Sequence, residues 1–274
     1  MLPEKNQFVY DLAMDVLGGA AVTVPQVPGF SERIIEVPQA AYWLNKFTAG
    51  GSCKILDIGY TMSSLDWMGL LLKLNAQDTC RVSAMDIIKP ERVQSRYPKD
   101  WLEAIFQVPV EIGDLRTMPM PEGEFDVVTC ISTIEHIGFD EAEEEDSSTA
   151  FKRSEDETLV RLNRADDVNS IVLAQFHKAL KAGGHVIITA PMGKGGAVLL
   201  KDSLGLFTRQ WEYETDSWHD LMHQQGFEVV TESFYGLGDS GLWAKVGRPS
   251  DLREKTSELQ PHAHGCAFAV LKKI

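Results

Sequence analysis

Basic residues are scarce in this 274-residue chain: 26 Lys and Arg stand against 40 Asp and Glu, a net charge of −14. A surface of that sign repels phosphate, which argues against non-specific binding to nucleic acid or to an anionic membrane. No run approaches the ~18 apolar residues of a membrane-spanning helix, so no membrane insertion is expected. Met1–Asp11 lacks a basic start followed by an apolar stretch, so no signal peptide is expected either. Cysteine is sparse. Cys53, Cys80, Cys130 and Cys266 are widely spaced, which supports neither a zinc site nor a disulfide framework. Reduced, buried thiols and a cytoplasmic location are the expectation. A G-x-G-x-x-G fingerprint is also missing, which argues against a nicotinamide cofactor.

What is present is an ordinary globular composition, 44% hydrophobic and 24% charged, in a chain long enough to bury a full core. The chain is organised around Lys54-Ile-Leu-Asp-Ile-Gly59, a short apolar run that reads as a buried parallel strand turning through glycine. Leu65, Met68 and Leu72 then give a helical period. Further strands are expected at Arg81–Asp86, Val108–Asp114, Phe125–Ile131, His185–Ala190, Phe227–Phe234 and Cys266–Leu271, with a helix over Val168–Leu180. Strands alternating with helices imply an α/β fold with a parallel, doubly wound sheet. Residues 1–49 read as a leader or cap on the core, with helices at Gln7–Leu17 and Gln39–Phe47. Residues 50–274 read as the α/β domain, with an acidic insertion at about 140–167 that is either a solvated face or a lid. Met192–Gln210 is rich in glycine and follows the fifth strand on the same edge.

Three acids, Asp57, Asp86 and Asp114, fall at the ends of consecutive strands. A carboxylate after the second strand suits a ribose diol. Asp57 is placed to hold an ammonium group or a water bound to one, and Asp114 to accept from an adenine amine while the Leu115 backbone reads the ring edge. The alternative is that Asp86 and Asp114 cap the helices after them.

Leu56-Asp-Ile-Gly59, Asp86-Ile87, Gly113-Asp114-Leu115, Phe125-Asp-Val-Val128, Ile134-Glu-His136 and Leu180-Lys-Ala-Gly-Gly184 resemble, in order, the motifs of class I S-adenosylmethionine-dependent methyltransferases. The resemblance covers about residues 50–235. It implies a seven-stranded Rossmann-like sheet with the last strand antiparallel, and S-adenosyl-L-methionine as cofactor. The implied binding residues are Asp57, Gly59, Tyr60, Asp86, Ile87, Asp114, Leu115 and Ser132. A narrower resemblance, carried by Arg33–Pro38, Pro191-Met-Gly193, Tyr213 and Phe234-Tyr235…Trp243, is to methyltransferases of cell-surface polysaccharide and sugar biosynthesis. The pattern departs after Gly59, where Tyr60-Thr-Met-Ser-Ser64 replaces the usual glycines, so Tyr60 must point away or stack on the ligand. The 27 residues from Gly59 to Asp86 also exceed the roughly 20 of dinucleotide folds.

In this fold Ser132-Thr-Ile-Glu-His136 faces the sulfonium. It lacks the Asn/Asp-Pro-Pro-aromatic run of adenine and amide N-methylation. His136 is the expected general base, with Glu135 as a partner or substitute, against the alternative of a structural histidine. His219 and His223, four apart on a helix, have metal-binding spacing but no third ligand. The expected activity is methyl transfer to a small-molecule acceptor, a hydroxyl of a sugar or other polar metabolite. A natural-product acceptor and a non-catalytic nucleoside-binding partner subunit are the alternatives, and a homodimer stays open.

Overall fold

Burial on both faces makes Cys53–Ile58 a central strand, and in the computed structural model, which describes residues 2–139, 154–202 and 204–274, it is β1. It pairs in parallel with β2 (Cys80–Asp86) on one side and β4 (Phe125–Cys130) on the other. β3 (Val110–Ile112) extends the sheet beyond β2, and β5 (Leu180–Pro191) beyond β4, again in parallel. The chain therefore moves outward through β1, β2 and β3, then returns to start again at β4. Such a reversal opens a crevice at the carboxyl ends of β1 and β4.

The far side of the sheet is antiparallel. β10 (Gly265–Lys273) lies between β5 and β8 (Phe227–Leu237), antiparallel to both, and β9 (Trp243–Val246) pairs with β8 at the edge. All seven expected strands form and the seventh is antiparallel; β9 is an eighth. The glycine-rich stretch after β5 contains a separate hairpin, β6 (Gly196–Lys201) and β7 (Phe207–Glu212), closed around Gly205 at φ 78°. Its alternating Phe207, Arg209 and Trp211 mark it as a strand, a period that the glycines around it obscure.

One core layer lies between the sheet and α1 (Glu4–Leu17), α2 (Arg33–Thr48) and α3 (Leu65–Asn75), with Ile105 of the short α4 (Leu102–Gln107) joining it. The other lies under α5 (Val168–Ala179) and α6 (Thr215–Met222). α2 starts six residues earlier than the sequence predicts and runs through Pro38. An interior proline costs about 3 kcal/mol, but Ile34, Ile35 and Val37 are all buried, at about 1.5–3 kcal/mol each. Burial wins. All four cysteines are buried and free. No helix among the described residues is long and apolar enough to cross a membrane. Between β3 and β4 the chain crosses in turns, leaving a groove of about 630 Å³ lined by Leu56, Ser83, Met85, Glu111, Met120 and Phe125. That groove lies on the sheet face, away from the carboxyl-end crevice.

Candidate active site

The reversal brings three turns together: Gly59–Ser64 after β1, Ile87–Lys89 after β2, and Ser132–Ile137 after β4. Gly59 sits at φ 86°, and a Cβ there would overlap Oγ1 and Cγ2 of Thr133. Both constraints require glycine. Tyr60–Met62 form a single 3-10 turn, held from the side rather than by further glycines. Asp86 Oδ2 accepts from the Thr61 N–H at 2.8 Å, and Thr61 Oγ1 donates to the Ile88 carbonyl at 2.7 Å. Ser63 Oγ closes the turn on the Gly59 carbonyl at 2.9 Å. The missing glycines are thus replaced by a carboxylate that ties the first turn to the second.

Two side chains expected at the ligand do not face it. Tyr60 is turned into the core among buried neighbours. Asp57 is sealed beneath the turn, accepting from Trp67 Nε1 at 3.0 Å and Thr129 Oγ1 at 2.7 Å. Burial lifts its pKa to about 7, against these hydrogen bonds. Both bonds fall on Oδ1 and fix α3 to the sheet, while Oδ2 is buried without a partner.

Asp86 accepts one N–H on each oxygen, from Thr61 and, at 3.0 Å, from Ile88. Burial raises its pKa. Each carboxylate oxygen keeps a second lone pair, so the pair of hydroxyls on a ribose still fits. Beside it Ile87 is 42% exposed, an apolar surface suited to a purine or ribose face. Asp114 is held by Arg116, with contacts of 3.0, 3.1 and 2.7 Å that outweigh burial and keep its pKa low. Its carboxylate is therefore already paired where the sequence reading gives it an adenine amine. The Leu115 side chain packs in the core.

The turn after β4 carries the densest chemistry. Ser132 adopts φ 43°, strained for a residue with a side chain. Its N–H donates to Thr189 Oγ1 at 2.8 Å and its Oγ to Glu36 Oε1 at 2.9 Å. Glu36, fully buried on α2, also takes Arg33 Nη1 at 2.8 Å and faces Cys266 Sγ at 3.6 Å. Glu135 is 2% exposed and its Oε2 has no partner. Burial, aided by Glu36 and Glu32, pushes its pKa to about 8. Glu32 Oε2 is likewise unpartnered, and burial and Glu36 raise that carboxyl too. Arg33, against its desolvation, is held charged by Glu36, Glu32, Asp66 and Glu135. One guanidinium thus serves a ring of acids. Glu32, Arg33 and Glu36 stand against this turn and have no site role in the sequence reading; the available signal was an acid at 36 inside the apolar run Ile34-Ile-Glu-Val37.

His136 stands beside this ring. Its Nδ1 lies 3.1 Å from the Arg209 carbonyl, an obligate acceptor, so Nδ1 carries the hydrogen and Nε2 is the unprotonated nitrogen. Nε2 is 3.9 Å from Glu135 Oε1. Desolvation, with Arg33, Arg209 and Arg164 nearby, lowers the imidazole pKa to about 4. Arg164, at the returning end of the insertion, clamps the turn. It donates to the carbonyls of Ile137 at 2.8 Å and Ile134 at 3.1 Å, and to Asn169 Oδ1 at 3.0 Å. Its guanidinium stacks 5.1 Å from Trp211 of β7. Phe139 bridges to Arg164, and Ser154 to Phe207, so the described end of the insertion is joined to the hairpin. Residues 140–153, with the acidic run from Asp140 to Asp146, lie outside the described residues. His219 and His223 stack at 3.9 Å on the exposed side of α6, and no group of three metal-ligating side chains occurs among the described residues.

A family described as methyltransferase domain matches residues 68–154. No curated protein matches the chain. Among solved structures, a SAM-dependent methyltransferase from Methanosarcina mazei is 12% identical over 82% of this chain and 93% of its own, with a TM-score of 0.48. The (4+2)-cyclase SpnF is 13% identical over 100% and 97%, with a TM-score of 0.47. The Burkholderia thailandensis 1,6-didemethyltoxoflavin-N1-methyltransferase, solved with its substrate and S-adenosylhomocysteine, is 14% identical over 100% and 92%, with a TM-score of 0.45.

Proposed function

We propose, for a class I methyltransferase fold whose cofactor is S-adenosylmethionine, that this protein methylates a small polar acceptor seated between the N-terminus of α2, the Ser132–Ile137 turn and the β6–β7 hairpin. The cofactor supplies an electrophilic methyl group on a sulfonium. Asp86 and Ile87 receive its ribose and purine end, and the acidic ring suits its net positive charge. The leader, residues 1–49, caps the crevice of the domain at 50–274 by contributing Glu32, Arg33 and Glu36. An acceptor such as a hydroxyl of a sugar or glycan precursor, or the O–H or N–H of another small metabolite, must lose a proton.

The observation that carries this reading is Glu135, a buried carboxylate with an unpartnered oxygen in the turn after β4. Its pKa of about 8 suits a base at neutral pH, whereas an imidazole at about 4 has little proton affinity. Glu135 thus replaces His136 as the base, and His136, fixed by the Arg209 carbonyl, lines the acceptor space. The test is release of S-adenosylhomocysteine with nucleotide sugars, glycans and small-molecule acceptors. Glu135→Gln should lower kcat by about 10²–10⁴-fold and leave S-adenosylhomocysteine affinity within about twofold, while His136→Ala costs under about tenfold. The reverse ranking would return the base to His136. Tight S-adenosylhomocysteine binding with no turnover on any acceptor would favour a non-catalytic partner subunit.

A further inference from the structure

We propose that the acceptor is an amine, received in its protonated form by the unpartnered carboxylate oxygens of Glu135 and Glu32. This rests on the methyl-transfer reading above and narrows it. Of the three glutamates in the ring, Glu36 is committed, with Oε2 on Arg33 and Oε1 on Ser132. Glu32 and Glu135 each retain an Oε2 that is buried and has no hydrogen-bond partner. Glu135 comes from the turn after β4 and Glu32 from the start of α2, so the two oxygens belong to different elements and share one cluster.

A buried acceptor without a partner costs about 1–3 kcal/mol, more when it is charged. Two such oxygens on separate elements, served by a single guanidinium, define a place for a donor-rich cation. A hydroxyl brings one donor and no charge, so it leaves one oxygen unmet. An ammonium brings three N–H donors and the missing positive charge. The neighbouring guanidiniums do not hydrogen-bond these two oxygens: Arg33 donates to Glu36, and Arg164 to Ile134, Ile137 and Asn169.

The chemistry balances. The ammonium gives one proton to the Glu135 carboxylate, which exposes the nitrogen lone pair. That pair forms the new N–C bond, the C–S bond breaks, and its electrons remain on sulfur as neutral S-adenosylhomocysteine. The methylated amine keeps the positive charge lost by the sulfonium, and the proton on Glu135 leaves to solvent.

Binding, rather than turnover, separates this inference from the reading beneath it. The full-length protein saturated with S-adenosylhomocysteine is titrated calorimetrically with two matched pairs, glucosamine against glucose and tyramine against 4-ethylphenol. At least one amine should bind about tenfold or more tightly than its neutral counterpart, and the preference should fall to about twofold or less in Glu135→Gln and in Glu32→Gln. Equal binding within both pairs, no binding of either amine up to about 10 mM, or a preference that survives both substitutions would overturn the proposal. So would a tenfold loss of S-adenosylhomocysteine affinity in the two variants, since the ring would then hold the cofactor's own ammonium group. Amine-selective binding with no methyl transfer would sink the transfer reading alone, and methyl transfer with no amine preference would sink the amine alone.

Discussion

Gly59→Ala puts two separable penalties on one turn. The first is conformational, because φ 86° lies in the left-handed region, which costs an L-residue about 1–2 kcal/mol. The second is steric, because the new methyl group would overlap Oγ1 and Cγ2 of Thr133, and overpacking costs about 1–3 kcal/mol. Together they predict a loss of about 2–5 kcal/mol, roughly 3–9 °C in melting temperature for a domain of this size. Thr133→Ala removes both overlapping atoms and loses one hydrogen bond, to the Ile131 carbonyl at 3.1 Å, worth about 0.5–1.5 kcal/mol. The double variant should therefore be more stable than the sum of the single losses predicts. The expected coupling is about 1–3 kcal/mol, with the conformational part left unrescued. Urea denaturation of the four proteins measures the cycle directly. Additivity within about 0.5 kcal/mol would show that Thr133 does not occupy the space above Gly59. A neutral Gly59→Ala would refute the turn geometry altogether.

Asp86→Ala removes the acceptor of both the Thr61 N–H and the expected ribose hydroxyls, so S-adenosylhomocysteine binding should weaken by at least about 1.5–3 kcal/mol; an unchanged calorimetric dissociation constant would remove Asp86 from the site. Asp57, Glu32 and Glu135 all have folded-state pKa values raised above their unfolded values, so the native state binds more protons than the unfolded chain. Their contribution is full below about pH 4 and is lost as pH rises through about 7–8. From this term, melts between pH 5 and 9 should show stability falling with pH, less steeply in Glu135→Gln; equal slopes in the two proteins would contradict the raised carboxyl. Arg164→Met keeps the stem but removes the donors to Ile134, Ile137 and Asn169, so it should lower kcat by about tenfold or more with little change in S-adenosylhomocysteine affinity. Loss of cofactor affinity instead would place Arg164 at the cofactor end.

The sheet was legible because its signals are local and repeated. Lys54–Ile58, Arg81–Asp86 and Phe125–Ile131 are short apolar runs ending in an acid or a turn, and the chain order of such runs constrains a parallel sheet. Legibility failed where a strong local rule met a stronger tertiary term. The sequence reading starts the helix at Gln39, just after Pro38, yet three buried aliphatic neighbours carry α2 through that proline. Glycines at 193, 195, 196 and 205 masked the β6–β7 period, because punctuation residues read as loop whether they end a strand or turn a hairpin.

The site was legible along the strand ends and illegible across them. Asp86 could be placed from its position after β2, but not its bond to Thr61, which depends on how two turns 25 residues apart meet. That bond explains how Tyr60 and Thr61 stand where the family carries glycines: a carboxylate supplies the rigidity and the Tyr60 ring goes into the core. Glu135 and His136 show the deeper limit. Adjacent in sequence, they are pushed in opposite directions by the same burial, because desolvation disfavours an anionic carboxylate and a cationic imidazole alike. The neighbours that shift each of them, Glu32, Arg33 and Glu36 at α2 and Arg164 and Arg209 beyond the turn, lie up to about a hundred residues away in sequence. A motif read along the chain names the turn; the packing of the leader and the hairpin against it sets the opposite shifts of its two titratable side chains.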